Sequence, residues 1–164
     1  MALKDAILAE YDHEMAATRK ILERIPDDKL TWKPHDKSRT MGALGQHVAN
    51  LPEWGELILD RFAVDMAEMP PPVDTQPASR ASILSAFDEA RAKTRKLLDK
   101  TDAEYAAMWS LKREGHEVFS LPRSAAFRTF VISHIVHHRG QLSVYLRLND
   151  VAIPALYGPS ADEG

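Results

Sequence analysis

Stretches of apolar residues at helical spacing constrain this chain more than any other feature of its sequence, and there are four of them. The first runs from about Leu3 to Arg24, with Leu3, Ile7, Tyr11, Met15, Thr18 and Leu22 on one face, and stops before Ile25-Pro26. The second opens after Ser38 or Thr40 as N-cap and continues to about Val64, along Leu44, Val48, Leu51, Ile58 and Phe62. Pro52 falls inside it and should bend it or remove one main-chain bond. The third starts near Ser79 or Arg80, runs to about Asp99 and buries Ile83, Leu84, Phe87, Ala90, Thr94 and Leu97. The fourth spans about Ser124 to Leu148.

The connections set the topology. Pro70, Pro71, Pro72 and Pro77 make the link between the second and third segments too proline-rich for a helix, and it reads as extended. A link of about 15 residues can cross the length of a bundle, so helices two and three are expected to run parallel. Between the third and fourth segments lies WSLKREGHEVFSLPR, where Trp109, Leu111, Val118 and Leu121 flank Glu114-Gly115. That pattern predicts a small β-hairpin, which needs packing against the helices to persist. The expected architecture is therefore all-α: one domain over residues 1–164, an up-down-down-up four-helix bundle with a small β-hairpin between helices three and four. A chain of 164 residues is long enough for one substantial core.

Composition removes several function classes. With 21 basic and 24 acidic residues the net charge is -3, and no long block of like charge occurs. A nucleic-acid or anionic-membrane surface would need a clustered basic face, so neither partner is expected. Cysteine is absent, which rules out disulfides, thiolate metal sites and a cysteine nucleophile. The start, MALKDAILAEYDHE, carries acids where a signal peptide has a basic region and an unbroken apolar run. No stretch approaches the roughly 18 apolar residues of a membrane span. A soluble, cytoplasmic protein is expected.

Three of the 7 histidines suggest chemistry. His134 and His138 are four apart, a rotation of about 40° and a climb of about 6 Å on a helix, so both rings can reach one point. With Phe127 at zero on a wheel of about 100° per residue, they fall about 20° to either side, centred on the apolar stripe. His137 falls about 80° away, and His137-Arg139 reads as a polar rim. His47 lies about 40° from the middle of the second stripe, on the side of Trp54. Three imidazoles are a set that divalent zinc, nickel or iron accepts with positions left open. Taken singly, each histidine also reads as a hydrogen-bonded core residue. His13, His35 and His116 read as surface or loop residues. Gln141 and Tyr145 share the histidine face and are candidates to support the ligands, whereas Glu53 and Glu56 read as solvated charges. Trp54 and Tyr145 are most simply core, with a pocket wall as the alternative.

LTWKPHDKSRTMGALGQHVANLPEW, then SHIVHHRGQLSVYLRL, then VAIPALYGPSADE resemble the DinB/YfiT-like metal-binding family over nearly the whole chain. The shared parts are the W-x-P segment, one histidine in helix two, H-x-x-x-H-R-G-Q-L in helix four and a terminal P-x-x-Y-G-P-S. The resemblance implies a four-helix bundle, a homodimer, and a divalent ion, commonly nickel or zinc, held by His47, His134 and His138. It also implies relatives that are thiol-dependent S-transferases and isomerases, so the expected partner is a small-molecule substrate with a low-molecular-weight thiol. An open site could activate water for hydrolysis or such a thiol for transfer, and with no cysteine in the chain the thiol must come from outside. The alternatives are a non-catalytic metal or small-ligand binding protein and a purely structural ion. Because imidazole binds metal only when neutral, affinity is expected to fall near pH 6.5.

Overall fold

Pro52 splits the second apolar segment. In the computed structural model, which describes residues 2–70 and 75–163, helix α1 (Leu3–Leu22) is followed by α2 (Met41–Asn50), a 3-10 turn over Leu51–Glu53, and α3 (Trp54–Leu59). Pro52 has no N–H to continue the ladder, and its carbonyl accepts the hydroxyl of Thr94 at 2.6 Å. Thr94 belongs to α4 (Arg80–Leu97), so the break in one helix becomes its fastening to another. Gly55 packs directly on Thr94, and a Cβ there would overlap the threonine methyl. Gly55→Ala should therefore destabilise the protein by about 1–3 kcal/mol, the usual cost of overpacking a filled core. Chemical denaturation will read this; a loss below about 0.5 kcal/mol, the range of a neutral surface change, would show that the contact yields.

The second helical segment does not reach Val64 as its spacing suggested. After Leu59 the chain leaves the helix, and Ala63–Asp65 form β1, a strand parallel to β2 (Met108–Arg113). Phe62, read as a core position, is 76% exposed and lies under the guanidinium of Arg123. The expected hairpin is present: β2 pairs antiparallel with β3 (His116–Pro122). Its turn residues Glu114 and Gly115 both have positive φ, 52° and 78°, as a two-residue hairpin turn of this kind requires. Asp65 holds that turn, accepting the N–H groups of Ala67, Glu114 and Gly115 at 2.9, 3.0 and 2.6 Å. These donors, Gly115 foremost, keep its carboxyl below the ordinary carboxylate range. The fold is thus mostly helical with a three-stranded sheet in the order β1-β2-β3, rather than all-α. A short α5 (Asp102–Ala106), closed by a Thr101/Glu104 capping box, was not anticipated.

α1 packs against α4 and against the last helix, and α2 packs against the same two. Ile7, Tyr11, Met15 and Leu22 of α1 are buried as expected, but Leu3 is exposed. Leu44, Val48, Ile83 and Phe87 complete the centre. Each such side chain contributes about 1.5–3 kcal/mol when fully buried. Thr40 caps α2, and Ser79 caps α4 with Ser82. Gln76, ahead of α4, accepts from the Thr40 hydroxyl at 2.8 Å and donates to the Leu30 carbonyl at 3.0 Å, tying the starts of α2 and α4 together. Pro71 and Pro72 of the proline-rich link lie outside the described residues. Among the described residues, no helix is long and apolar enough to cross a membrane.

The fourth apolar segment is continuous but not uniform. It consists of α6 (Arg123–Phe127), a π-helical stretch over Arg128–Ser133, and α7 (His134–Arg147). A π-turn holds one residue more than an α-turn, so every side chain after it is displaced by about 100° from the simple wheel. Ile135, Arg139, Leu142 and Leu146 form the buried line of α7. His134 and His138, expected at its centre, lie on its half-buried flank. Arg139, expected on a polar rim, is 2% exposed.

The buried arginine is matched. Its Nη2 lies 2.7 Å from the Glu14 carboxylate, and its Nη1 donates to the Glu14 carbonyl at 3.1 Å and the Thr18 hydroxyl at 3.2 Å. The Tyr157 hydroxyl accepts from Arg139 and donates to Glu14 at 2.7 Å. Tyr157 reaches them from the C-terminal segment, which Asp162 and Glu163 anchor to Arg147 and Arg24.

Candidate metal centre

His47 from α2 and His134 and His138 from α7 meet on one side of the molecule. One ring nitrogen from each lies within 4.8 Å of the others, and the Nε2 atoms of His134 and His138 are 3.0 Å apart. The ring of His47 stands nearly edge-on to both, with centroids 5.3 Å from His134 and 4.6 Å from His138. Ligand nitrogens about 2.0–2.1 Å from a tetrahedral zinc stand roughly 3.4 Å apart, a value inside the observed spread.

The proton on one of these rings can be placed. A neutral imidazole has one N–H. In His138 it lies on Nδ1, 2.7 Å from Oε1 of Gln141, an atom that can only accept. In His134 burial lowers the basicity, and the Phe130 main chain opposes it, as a carbonyl facing the ring would. That carbonyl is where the His134 N–H would turn in an uninterrupted α-helix, but the N–H bonds Val131 instead. With the His138 proton on Nδ1, its Nε2 presents a lone pair toward His134 Nε2 at 3.0 Å. That lone pair and two further imidazoles within 4.8 Å make a donor set that could hold a cation.

Electrostatics keep the rings neutral. Burial first, then Arg39 and the other two histidines, lowers the pKa of His47 to about 4. Burial also lowers His134 and His138, opposed in His138 by the bond to Gln141. The unfolded chain takes up protons below about pH 6.5, whereas folded His47 resists them down to about pH 4. The metal-free protein should accordingly hold its full stability above pH 6.5 and lose it progressively toward pH 4. Loss of metal affinity should likewise shift below the pH 6.5 region expected of an ordinary imidazole. Unfolding curves across this range will test the point; a His47→Gln variant with an unchanged slope would sink it.

The surroundings are aromatic on two sides. Trp54 stacks on Phe130 at 5.4 Å, and Phe130 on Phe119 at 5.6 Å. Trp32, from the W-x-P segment, meets Tyr145 edge-on at 5.6 Å. Beside His47 a cavity of about 140 Å³ is lined by Asn50, Leu51, Glu53, Trp54, Leu57 and Met69. Trp54 is therefore a pocket wall as well as a packing residue. A larger depression, about 340 Å³ around Lys4 and Asp99, includes none of the histidines. His13, His35 and His116 are exposed and outside the cluster. Glu56 pairs with Lys93 at 2.5 Å.

The sequence reading missed Arg39, whose charge reaches all three histidines. The one signal it offered was its place next to the Thr40 cap.

A mostly helical fold presenting three converging histidines on two of its helices defines a helical protein with a candidate divalent-metal centre. The family model described as the DinB family matches residues 2–164, and the chain belongs to that family. It is 22% identical over 160 residues to the uncharacterised protein YrdA of Bacillus subtilis strain 168, covering 97% of this chain and 90% of that one. Its fold matches the crystal structure of a DinB-like protein from Bacillus cereus ATCC 10987 with a TM-score of 0.71 at 21% identity, covering 93% of this chain and 97% of the other.

Proposed function

We propose that His47, His134 and His138 bind one divalent ion, nickel or zinc, and that this centre acts on a small electrophilic substrate with a low-molecular-weight thiol or water as nucleophile, as an S-transferase or hydrolase. The carrying observation is the pair of Nε2 atoms 3.0 Å apart with a third histidine beside them. A bound ion with three protein ligands supplies an open, positively charged position. The chain's own residues supply the rest. Gln141 orients the His138 ring, and Trp54, Leu51 and Met69 give an apolar wall that limits water beside His47.

A second reading is a non-catalytic metal or small-ligand binding protein. The cavity favours its metal-binding form, since about 140 Å³ falls short of the roughly 300 Å³ at which small-molecule sites begin. The proposal includes a homodimer and a single domain over residues 1–164, as the family resemblance implies.

We also infer the up-down-down-up bundle. Lys4–Asp99, Asp12–Arg95 and Arg19–Asp88 pair in opposite order along α1 and α4. Glu10–Arg128 and Glu14–Arg139 pair in the same order along α1 and the fourth segment.

Elemental analysis of protein purified without a metal-affinity tag should find about one equivalent of nickel or zinc per chain. The loaded protein should then accelerate thiol conjugation or hydrolysis in an electrophile panel, and His134→Ala should not. Metal without turnover selects the binding reading; no stoichiometric metal in protein supplied with both ions overturns both.

A further inference from the structure

The histidine cluster contains a contact that three ligands alone do not require. Gln141, one turn beyond His138 on α7, presents Oε1 to His138 Nδ1 at 2.7 Å and Nε2 to His137 Nε2 at 3.1 Å. His137 is exposed and stands outside the three-histidine group, with its ring 4.8 Å from that of His138.

We propose that Gln141 and His137 are a positioning pair that selects the tautomer of His138, and so decides which of its nitrogens is free to bind metal. An amide has two faces of opposite hydrogen-bonding sense. If the oxygen faces His138, the imidazole proton must sit on Nδ1 and the Nε2 lone pair is left for an ion. If the amide turns over, its N–H₂ group faces Nδ1, the ring proton must move to Nε2, and the ligating position is blocked. Something must hold the oxygen inward. His137 does so in the tautomer whose Nε2 carries no proton, because the amide N–H₂ group 3.1 Å away can only donate. The orientation of one exposed side chain is thereby transmitted through the amide to a half-buried ring.

This inference rests on the proposed metal centre for its affinity arm, but its tautomer arm is read on metal-free protein. Long-range ¹H–¹⁵N spectra of the imidazoles at neutral pH should show His138 as the Nδ1–H form in the wild type. In Gln141→Leu the Nε2–H form should become the major one, and zinc affinity, measured by chelator competition, should fall about 10–100-fold, the range for losing a partner that orients a metal ligand. Gln141→Glu keeps an acceptor against Nδ1 and should retain both the tautomer and affinity within a few fold of the wild type. His137→Leu should give a mixture of tautomers and an intermediate affinity. Gln141 is exposed, so all variants should melt like the wild type. The proposal is overturned if Gln141→Leu keeps the Nδ1–H form, or if the Leu and Glu variants lose affinity equally. If the wild type binds no zinc, the metal reading fails, and the tautomer spectra still decide the role of the pair.

Discussion

His138→Ala will abolish stoichiometric binding of zinc or nickel and, with it, the rise in melting temperature that either ion gives the wild-type protein. The ion is expected to bridge α2 and α7, so it binds the folded chain and finds no assembled site in the unfolded one. At a free concentration of 100 times Kd such linkage contributes about 2.7 kcal/mol. For a domain of this size that corresponds to a rise of roughly 5–10 °C. His138 supplies one of the two nitrogens in the 3.0 Å pair, and two remaining imidazoles should not retain the ion. His116→Ala, on the exposed end of the hairpin, should leave both stoichiometry and thermal shift intact. A variant with alanine at His47, His134 and His138 that still held one equivalent would place the ion elsewhere.

The second large effect concerns stability alone. Glu14→Leu should cost about 3–5 kcal/mol, because it leaves the Arg139 guanidinium buried without its counter-charge. The loss should be visible as a fall of roughly 10 °C in melting temperature. Tyr157 loses its acceptor in the same step, since its hydroxyl donates to Glu14 Oε2. The double variant Glu14→Leu/Arg139→Met should recover much of the loss, as apolar replacement of a whole buried pair is often neutral. A single-variant cost within about 1 kcal/mol, the scale of an exposed pair, would mean that water reaches the guanidinium.

Much of the site was legible because it depended on local spacing. Four residues along a helix bring two rings together whichever face they are on, so the relation between His134 and His138 was readable without the fold. Their burial was not readable. It depended on the π-stretch at Arg128–Ser133, and nothing in RTFVIS distinguishes that stretch from an ordinary apolar helix. The same slip concealed Arg139, whose role also needs Glu14 and Tyr157 from remote parts of the chain. The hairpin was visible in its turn and its alternation, both local. β1 was not, because three residues carry too little pattern and its pairing to β2 is long-range. Pro52 announced a break, but the fastening to Thr94 required knowing which helix lay opposite.

The π-stretch has a consequence for how this chain tolerates change. α6 and α7 are one rod read in two rotational frames, with the extra residue as the offset between them. Substitutions at solvent-facing positions of the stretch leave that offset alone. A single deletion within residues 128–133 would remove the extra residue and leave one α-helical rod with every later side chain on its present face, whereas an uninterrupted α-helix at full length would turn His134 and His138 toward the core and Arg139 out, away from Glu14. The histidine cluster and the buried ion pair thus depend on the same extra residue being absorbed in the π-turn. A chain of this design can lose that residue and keep both, but it cannot keep the residue and lose the π-turn.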